Sequence, residues 1–379
     1  GMTYAIEDLL DNIAGFFNKG LPFVAFKSPN EAQVHLLWQE TDALHHLTSN
    51  AAFGFVMATY SHEKAPYLLK PDGYMSATFK PIFTSASQKK VPLELHKKVL
   101  TNTSEHSDTL RIAHVNLVQS ALDEIGRNQF KKVVLARAAS FETTKTPVAI
   151  FEGLLSSYDS AFCYLWHHPA LGTWIGATPE RLLQIENKSL QTAALAGTIK
   201  RDATSADLFS EKWTSKEIEE QAMVAQDIET RLTALGLEVN KTNTYQVNAG
   251  QVSHLKTDIN VAQIGPISLT ELIDALHPSP AICGLPRDQA HDFIQQNEAL
   301  DRKFYAGYLG LVYSHLAQPS LGFKGLHAIE ADLYVNLRCM EYLSGLATVF
   351  VGSGITSGSH AEKEWEETIL KAQTIKKVI

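Results

Sequence analysis

The sequence is poor in cysteine, with three in 379 residues: Cys163, Cys283 and Cys339. An odd number with no C-x-x-C spacing supplies neither a disulfide framework nor a zinc site, and a reducing cytoplasm is the simplest location. No apolar stretch is long enough to cross a membrane as a helix, and no secretory signal pattern opens the chain. Gly1 ahead of Met2 reads as the scar of a removed tag. Positive charge is short as well. There are 33 Lys and Arg against 41 Asp and Glu, a net charge of -8, which argues against a nucleic-acid partner. Internal repeats and low-complexity segments are missing. So are a Walker loop and a dinucleotide fingerprint, because G-S-G-I-T-S-G at Gly352–Gly358 has neither the spacing nor the strand–helix–strand surroundings. What remains is the composition of a soluble globular protein, 45% apolar and 20% charged.

The richest stretch runs from Val351 to Lys371. Ser359 and Glu362 have the form of a capping box, after which Trp365, Ile369 and Ala372 recur at helical spacing. The glycine loop before that helix would offer free N–H groups and a favourable dipole to a carboxylate. Glu364 and Glu367 are three apart and share a helix face, as do Glu217 and Glu220 at another helix start. Four converging carboxylates repel unless a hard cation such as Mg²⁺ joins them. The other reading is two solvated, charge-rich helix starts.

In chain order, Leu21–Phe26 and Phe53–Tyr60 read as strands, and Ser107–Gly126 as a helix with Ile112, Val115, Val118, Leu122 and Ile125 inward. The pair His45-His46 has no third ligand in view. Phe130–Phe141 is a near-continuous apolar strand covered on both faces. It carries Lys132, which is either a desolvated base or a strand-end lysine whose amine reaches water. Phe162–His167 and Thr173–Gly176 are strands, Asn187-Lys188 is a hairpin turn, and the small residues Ala193–Gly197 permit a close approach. Glu180 follows Pro179 at a strand edge. Lys200–Ser215 reads as a polar loop or flap. Thr214 and Glu217 cap the next helix, with Ile218, Ala222, Ala225, Ile228, Leu232 and Leu235 buried and Gly236 ending it. Then come a strand at Val252–Ile259 with His254, a shaped loop at Leu276–Arg287, a helix at Ala290–Glu298 and a strand at Phe304–Tyr313. Ala331–Tyr342 alternates throughout, placing Tyr334, Asn336 and Arg338 on one face. Arg338 there suits either bidentate carboxylate recognition or a buried ion pair.

K-V-V-L-A-R, G-A-T-P-E-R-L-L, L-A-G-T, K-E-I-E-E, S-H-L, L-H-P-S-P-A-I-C-G-L-P, F-Y-A-G, Y-V-N-L-R-C and G-S-G-I…E-K-E-W-E-E-T…K follow one another between Phe130 and the C-terminus. In this order they resemble the chorismate-utilising enzymes, among them isochorismate synthases, salicylate synthases and the component I subunits of anthranilate and aminodeoxychorismate synthase. The proline loop is most similar to that of isochorismate synthases. Where aminodeoxychorismate synthases carry P-I-K-G-T, this chain has Ala194-Leu195-Ala196-Gly197-Thr198, without the lysine.

The resemblance implies an α+β fold of two large, mainly antiparallel β-sheets packed together, with helices outside and the site in a cleft between. It implies one domain over residues 2–379, in which 2–100 diverge and 130–379 carry the catalytic motifs. The implied activity is that of an isomerase, isochorismate synthase, converting chorismate to isochorismate with Mg²⁺. Lys132 would activate water and Glu180, its pKa raised by the cleft, would protonate the leaving hydroxyl. Glu217, Glu220, Glu364 and Glu367 would hold the metal. Ala196, Gly197, Thr198, His254, Ala281, Tyr305, Arg338, Gly352, Gly354 and Lys371 would line or hold the substrate. No glutaminase subunit and no membrane are expected, and the product would feed menaquinone or siderophore synthesis. Two alternatives stand beside this: a salicylate synthase that goes on to eliminate pyruvate, and a silent chorismate-binding homologue. Ala281, where salicylate synthases tend to carry threonine, weighs against the first of these.

Overall fold

A computed structural model describes residues 4–48, 53–80, 108–200, 213–249, 252–313 and 329–379. Two nine-stranded sheets form the body. The first, sheet A, runs in the order β14 (Gly284–Leu285), β6 (Lys132–Glu142), β18 (Leu346–Ile355), β17 (Cys339–Leu343), β8 (Gly172–Thr178), β7 (Phe162–His168), β1 (Phe23–Lys27), β2 (Gln33–Trp38) and β5 (Gly73–Thr78). Sheet B runs β11 (Asn240–Lys241), β13 (Val252–Val261), β10 (Ser189–Lys200), β9 (Arg181–Glu186), β16 (Ile329–Val335), β15 (Tyr308–Val312), β3 (Gly54–Ala58) and β4 (Tyr67–Leu69), with β12 (Tyr245–Ala249) also on β13. Neighbouring strands pair antiparallel, as expected for the α+β fold. The divergent N-terminal part is built into both sheets, giving β1, β2 and β5 to one and β3 and β4 to the other.

Seven helices are described: α1 (Ile6–Lys19), α2 (Asp108–Gly126), α3 (Pro147–Ser157), α4 (Ser215–Thr233), α5 (Leu269–Leu276), α6 (Arg287–Asn297) and α7 (Ala361–Lys376). Among the described residues none is long and apolar enough to cross a membrane. The strand β1 explains the packing. Its alternate residues Val24 and Phe26 point into the core shared with sheet B, while Phe23 and Ala25 point into a second core under α1, α3 and α7. Both faces are covered, so strands in the middle of sheet A read as continuous apolar runs although they are antiparallel.

Local signals hold well. Asn187 and Lys188 both have positive φ, 49° and 62°, as a two-residue hairpin turn requires. Thr214 and Glu217 cap α4 reciprocally. Other expectations need correction. The cap of α7 is His360, with no side-chain bond, because Glu362 instead pairs with Arg111 of α2 at 2.6 Å. The buried face of α4 is Gln221, Val224, Ala225, Ile228 and Leu232, and Ile218 is 52% exposed. The inner stripe of α2 is His114, Val118, Ala121 and Ile125, with Ile112 outside. The strand expected from Phe304 begins only at Tyr308, after a turn that carries Tyr305. The polar stretch 201–212 lies outside the described residues.

The main correction is at Ala331–Tyr342. The alternation suggests one strand, yet the chain leaves sheet B at Val335 and enters sheet A at Cys339. The step is made at Asn336–Arg338, where Arg338 takes φ 49° and stays exposed, so it does not share a face with the buried Tyr334. Asn336 pins the crossing. It is fully buried, accepts from the Tyr164 hydroxyl at 2.6 Å and donates to Phe304 O at 3.0 Å. Removing its amide orphans both partners in a dry interface, at about 1–3 kcal/mol for each buried group. Asn336→Ala is therefore expected to lower unfolding stability by about 2–4 kcal/mol in urea titrations. A loss under about 0.5 kcal/mol would show that the crossing is held by something else.

Candidate active site

The site forms where β18 loses a neighbour. β17 pairs with β18 only as far as Met340–Val349, whereas β6 follows it to Val133–Ile355. The backbone from Phe350 onward thus has one open edge. Gly352 and Gly354, expected in a loop, lie in this strand. Their missing side chains make room on one face. A methyl group on Gly352 would stand 2.5 Å from the Tyr305 hydroxyl, and one on Gly354 would stand 3.2 Å from Lys132 Cε. Lys371 of α7 closes the open edge by donating to Gly352 O at 2.9 Å. Between the glycines, the Ser353 hydroxyl donates to Glu364.

Lys132 is the first residue of β6, and its amine lies 3.4 Å from Glu220 Oε1. The side chain is 12% exposed, which favours the desolvated reading over an amine reaching water. Glu180 sits just after β8, and its backbone carbonyl accepts from Val335 N at 2.9 Å. Its Oε2 is buried with no hydrogen-bond partner among the described residues. Burial pushes the Glu180 carboxyl up to about 7, against the opposing pull of the Lys132 charge. This is the elevation that a general acid working near neutrality needs.

Carboxylates and cations are interleaved around this pair. Burial raises the Glu364 carboxyl, with Glu367 adding to the rise and Ser353 opposing it. Desolvation by burial lowers Lys371, resisted by Glu367 and Glu364 and aided by the charges of Arg338 and Lys132. Lys371 therefore feels both Arg338 and Lys132, and cations gathered around it favour an anion with more than one carboxylate. The exposed Arg338 makes no ion pair among the described residues, leaving the recognition reading of its guanidinium in place.

The floor comes from sheet B. Ala196 is buried in β10, whose pairing with β13 shifts register between Ala196 and Ile199. In that bulge Gly197 takes φ 75°, and a methyl group there would meet the Trp213 ring at 3.2 Å and Glu217 Cβ at 4.0 Å. Gly197 O is within 3.0 Å of His254 Nδ1. The side chain of Thr198 lies outside the described residues. Ala281 sits in the proline loop, which is tied to β6 beside Lys132 by Lys131 N to Leu285 O and Val134 N to Cys283 O, both 2.8 Å. Contacts thus run without a break from His254 through Gly197 to Glu217 on α4. On the same helix Glu220 pairs with Lys132, whose side chain lies against Gly354. His45 and His46 take no part in these contacts, and the His46 ring lies tilted against Tyr67.

The two carboxylate pairs come from the starts of α4 and α7, and Lys216 Nζ of α4 donates to Ser357 Oγ in the turn before α7 at 2.6 Å. Among the described residues no three Asp, Glu, His or Cys side chains close into a metal-binding cluster. Glu217 also spends one oxygen on its helix cap. The donor set is nonetheless all hard oxygen, and burial raises the Glu364 carboxyl, with the like-charged Glu367 adding to the rise. It fits Mg²⁺ that takes its remaining ligands from a bound anion and water.

Sequence reading missed four participants. Ser353 lies between two recognised glycines with no signal of its own. Asn336 was taken for a strand residue. Glu298 and Arg302 form a buried pair at i,i+4 spacing, a signal readable only if the helix is taken past its real end. The raised carboxyl of Glu180 carries a stability consequence. Folding takes up a proton as pH rises from 4.5 towards 7, so this group's contribution declines through that window and is least favourable above 7. Glu180→Gln is expected to be more stable than the wild type at pH 8, by at most about 3 kcal/mol, and to lose that advantage near pH 4. Equal melting temperatures at both pH values would mean that Glu180 ionises normally.

The geometry can be set beside known proteins. The chorismate binding enzyme family matches residues 68–379. The isochorismate synthase MenF of Escherichia coli K12 is 30% identical over 292 residues, covering 74% of this chain and 63% of that protein. A salicylate biosynthesis isochorismate synthase of Pseudomonas aeruginosa is 30% identical over 271 residues, 69% of this chain and 53% of that one. The chain thus spans less than two thirds of the length of these relatives. In three dimensions it resembles the structure of MenF, the menaquinone-specific isochorismate synthase from Escherichia coli. The TM-score is 0.72 at 20% identity, over 94% of this chain and 88% of that one. With a family match over most of its length, the chain belongs to the chorismate-binding enzymes.

Proposed function

We propose that this protein is an isochorismate synthase, an isomerase that interconverts chorismate and isochorismate with Mg²⁺. The observation that carries the reading is Glu180, an orphaned buried carboxyl raised to about 7 with Lys132 as its charged neighbour. An acid held neutral at working pH and a lysine beside it are the two groups that exchange of a hydroxyl requires. The names of the relatives in this family support the same assignment.

In the proposed reaction Lys132 acts as the base and takes a proton from water as the water oxygen bonds to ring C2. The ring double bonds shift, and the C4 hydroxyl leaves as water with a proton from Glu180. One water enters and one departs, so no oxidant or second substrate is consumed. Reversal returns the proton to Glu180, and the products reach an equilibrium. Tyr305, Arg338, Lys371 and the backbone at Gly352 and Gly354 would bind the substrate carboxylates. Ala196, Gly197, Thr198, His254 and Ala281 would shape the walls. Glu217, Glu220, Glu364 and Glu367 would hold Mg²⁺, directly or through water, and the bound ion would neutralise the ring carboxylate.

Two experiments test this. Chorismate with Mg²⁺ should give a mixture of chorismate and isochorismate by chromatography, with little pyruvate, and isochorismate should revert. Pyruvate rising in step with chorismate loss would make the protein a salicylate synthase, and no turnover would make it a silent binder. Separately, Lys132→Ala should cut kcat by at least ~10²-fold with chorismate binding largely kept. Glu220→Gln or Glu367→Gln should abolish activity in a folded protein, and undiminished turnover in excess EDTA would rule out the metal.

A further inference from the structure

Against β6 and the proline loop lies an ion pair that the reaction scheme does not use. Arg302 and Glu298 are 4% and 2% exposed at the side chain, and meet through two bonds, Nε to Oε1 at 2.7 Å and Nη2 to Oε2 at 3.0 Å. Burying such a pair is a poor way to gain stability, since desolvation offsets much of the attraction. Its remaining atoms are all spent on backbone. Glu298 Oε2 accepts from Ala136 N at 3.0 Å, Arg302 Nη2 donates to Val134 O at 2.9 Å, and Arg302 Nη1 donates to Ile282 O at 2.9 Å. The backbone carbonyl of Arg302 accepts from Tyr305 N at 2.9 Å.

These contacts lie where sheet A runs out. β14 pairs with β6 only at Lys132 and Val133, and Val134 N is met by Cys283 O, so further along the same edge the Val134 carbonyl and the Ala136 N–H meet no strand. The ion pair stands in for that strand. We propose that the Glu298–Arg302 pair is a positioning device for the reaction. It holds the strand end bearing Lys132, the loop bearing Ala281 and the turn bearing Tyr305 at one spacing. Lys132 is two residues from Val134, Ala281 adjoins Ile282, and Tyr305 is three residues from Arg302. A planar fork with five donors can hold three segments at once, which an ammonium cannot do. A shift of about 1 Å in a reacting group costs on the order of 10²-fold in rate.

The inference rests on the proposed hydroxyl exchange, and Arg302→Lys tests it in the full chain. Melting temperature and near-ultraviolet circular dichroism establish folding, and kcat and KM for chorismate are measured well below the melting point. The variant should fold and lose at least ~10-fold in kcat. In a Lys132→Ala background the same substitution should cost less than ~2-fold, because the base it misplaces is gone. A variant with wild-type kcat, or a loss of equal size in both backgrounds, would overturn the positioning role. If Arg302→Lys does not fold, Glu298→Gln, which keeps an oxygen for Ala136 N, takes its place with the same readouts. If neither folds, the pair is a stability element and the proposal fails. A wild type that does not exchange hydroxyls overturns the proposed activity itself and this inference with it.

Discussion

The molecule depends on keeping one carboxyl out of water beside one lysine. Glu180 with its unpartnered oxygen and Lys132 with its shielded amine are both disfavoured by burial, and neither position stabilises a fold. Two large sheets make the arrangement affordable. Their shared core is extensive, and the end where β18 outruns β17 leaves an edge on which charged groups can gather. The crossing at Asn336–Arg338 joins the sheets at this end. It sets Arg338 beside Lys371 and brings Val335 to the Glu180 carbonyl. Tyr305 is delivered by the neighbouring turn.

Elements whose signal is local were legible in the sequence. The Asn187-Lys188 turn, the Thr214–Glu217 cap and the apolar runs of β1, β6 and β7 each follow from a few adjacent residues. The strand–crossing–strand at Ala331–Tyr342 was not, because both sheets have apolar faces and the alternation persists across the break. Nor was the start of α7. Ser359 and Glu362 have capping spacing, but Glu362 finds a stronger partner in Arg111, some 250 residues earlier in the chain. Helix faces went astray where two layers compete for one helix, as with Ile112 and Ile218, which are exposed although they fit the apolar period.

The candidate site was readable mainly through the family resemblance. From residue pattern alone Lys132 was more readily a strand-end lysine than a base, and Glu180 an ordinary edge glutamate. What separates those readings is burial and neighbouring charge, and both are properties of the assembled sheets. The glycines of β18 show the same limit. Their spacing suggested an anion-binding loop, whereas their service in the fold is to let Tyr305 and Lys132 lie flat against a strand.

The central claim is that water from solvent replaces a ring hydroxyl through Lys132 and Glu180. It is tested most directly by running the reaction in ¹⁸O-water and locating the label by mass spectrometry. The account requires one ¹⁸O in isochorismate, at C2, with incorporation in Lys132→Ala slower by at least ~10²-fold. Isochorismate formed without label, its hydroxyl carried over from C4, would contradict it.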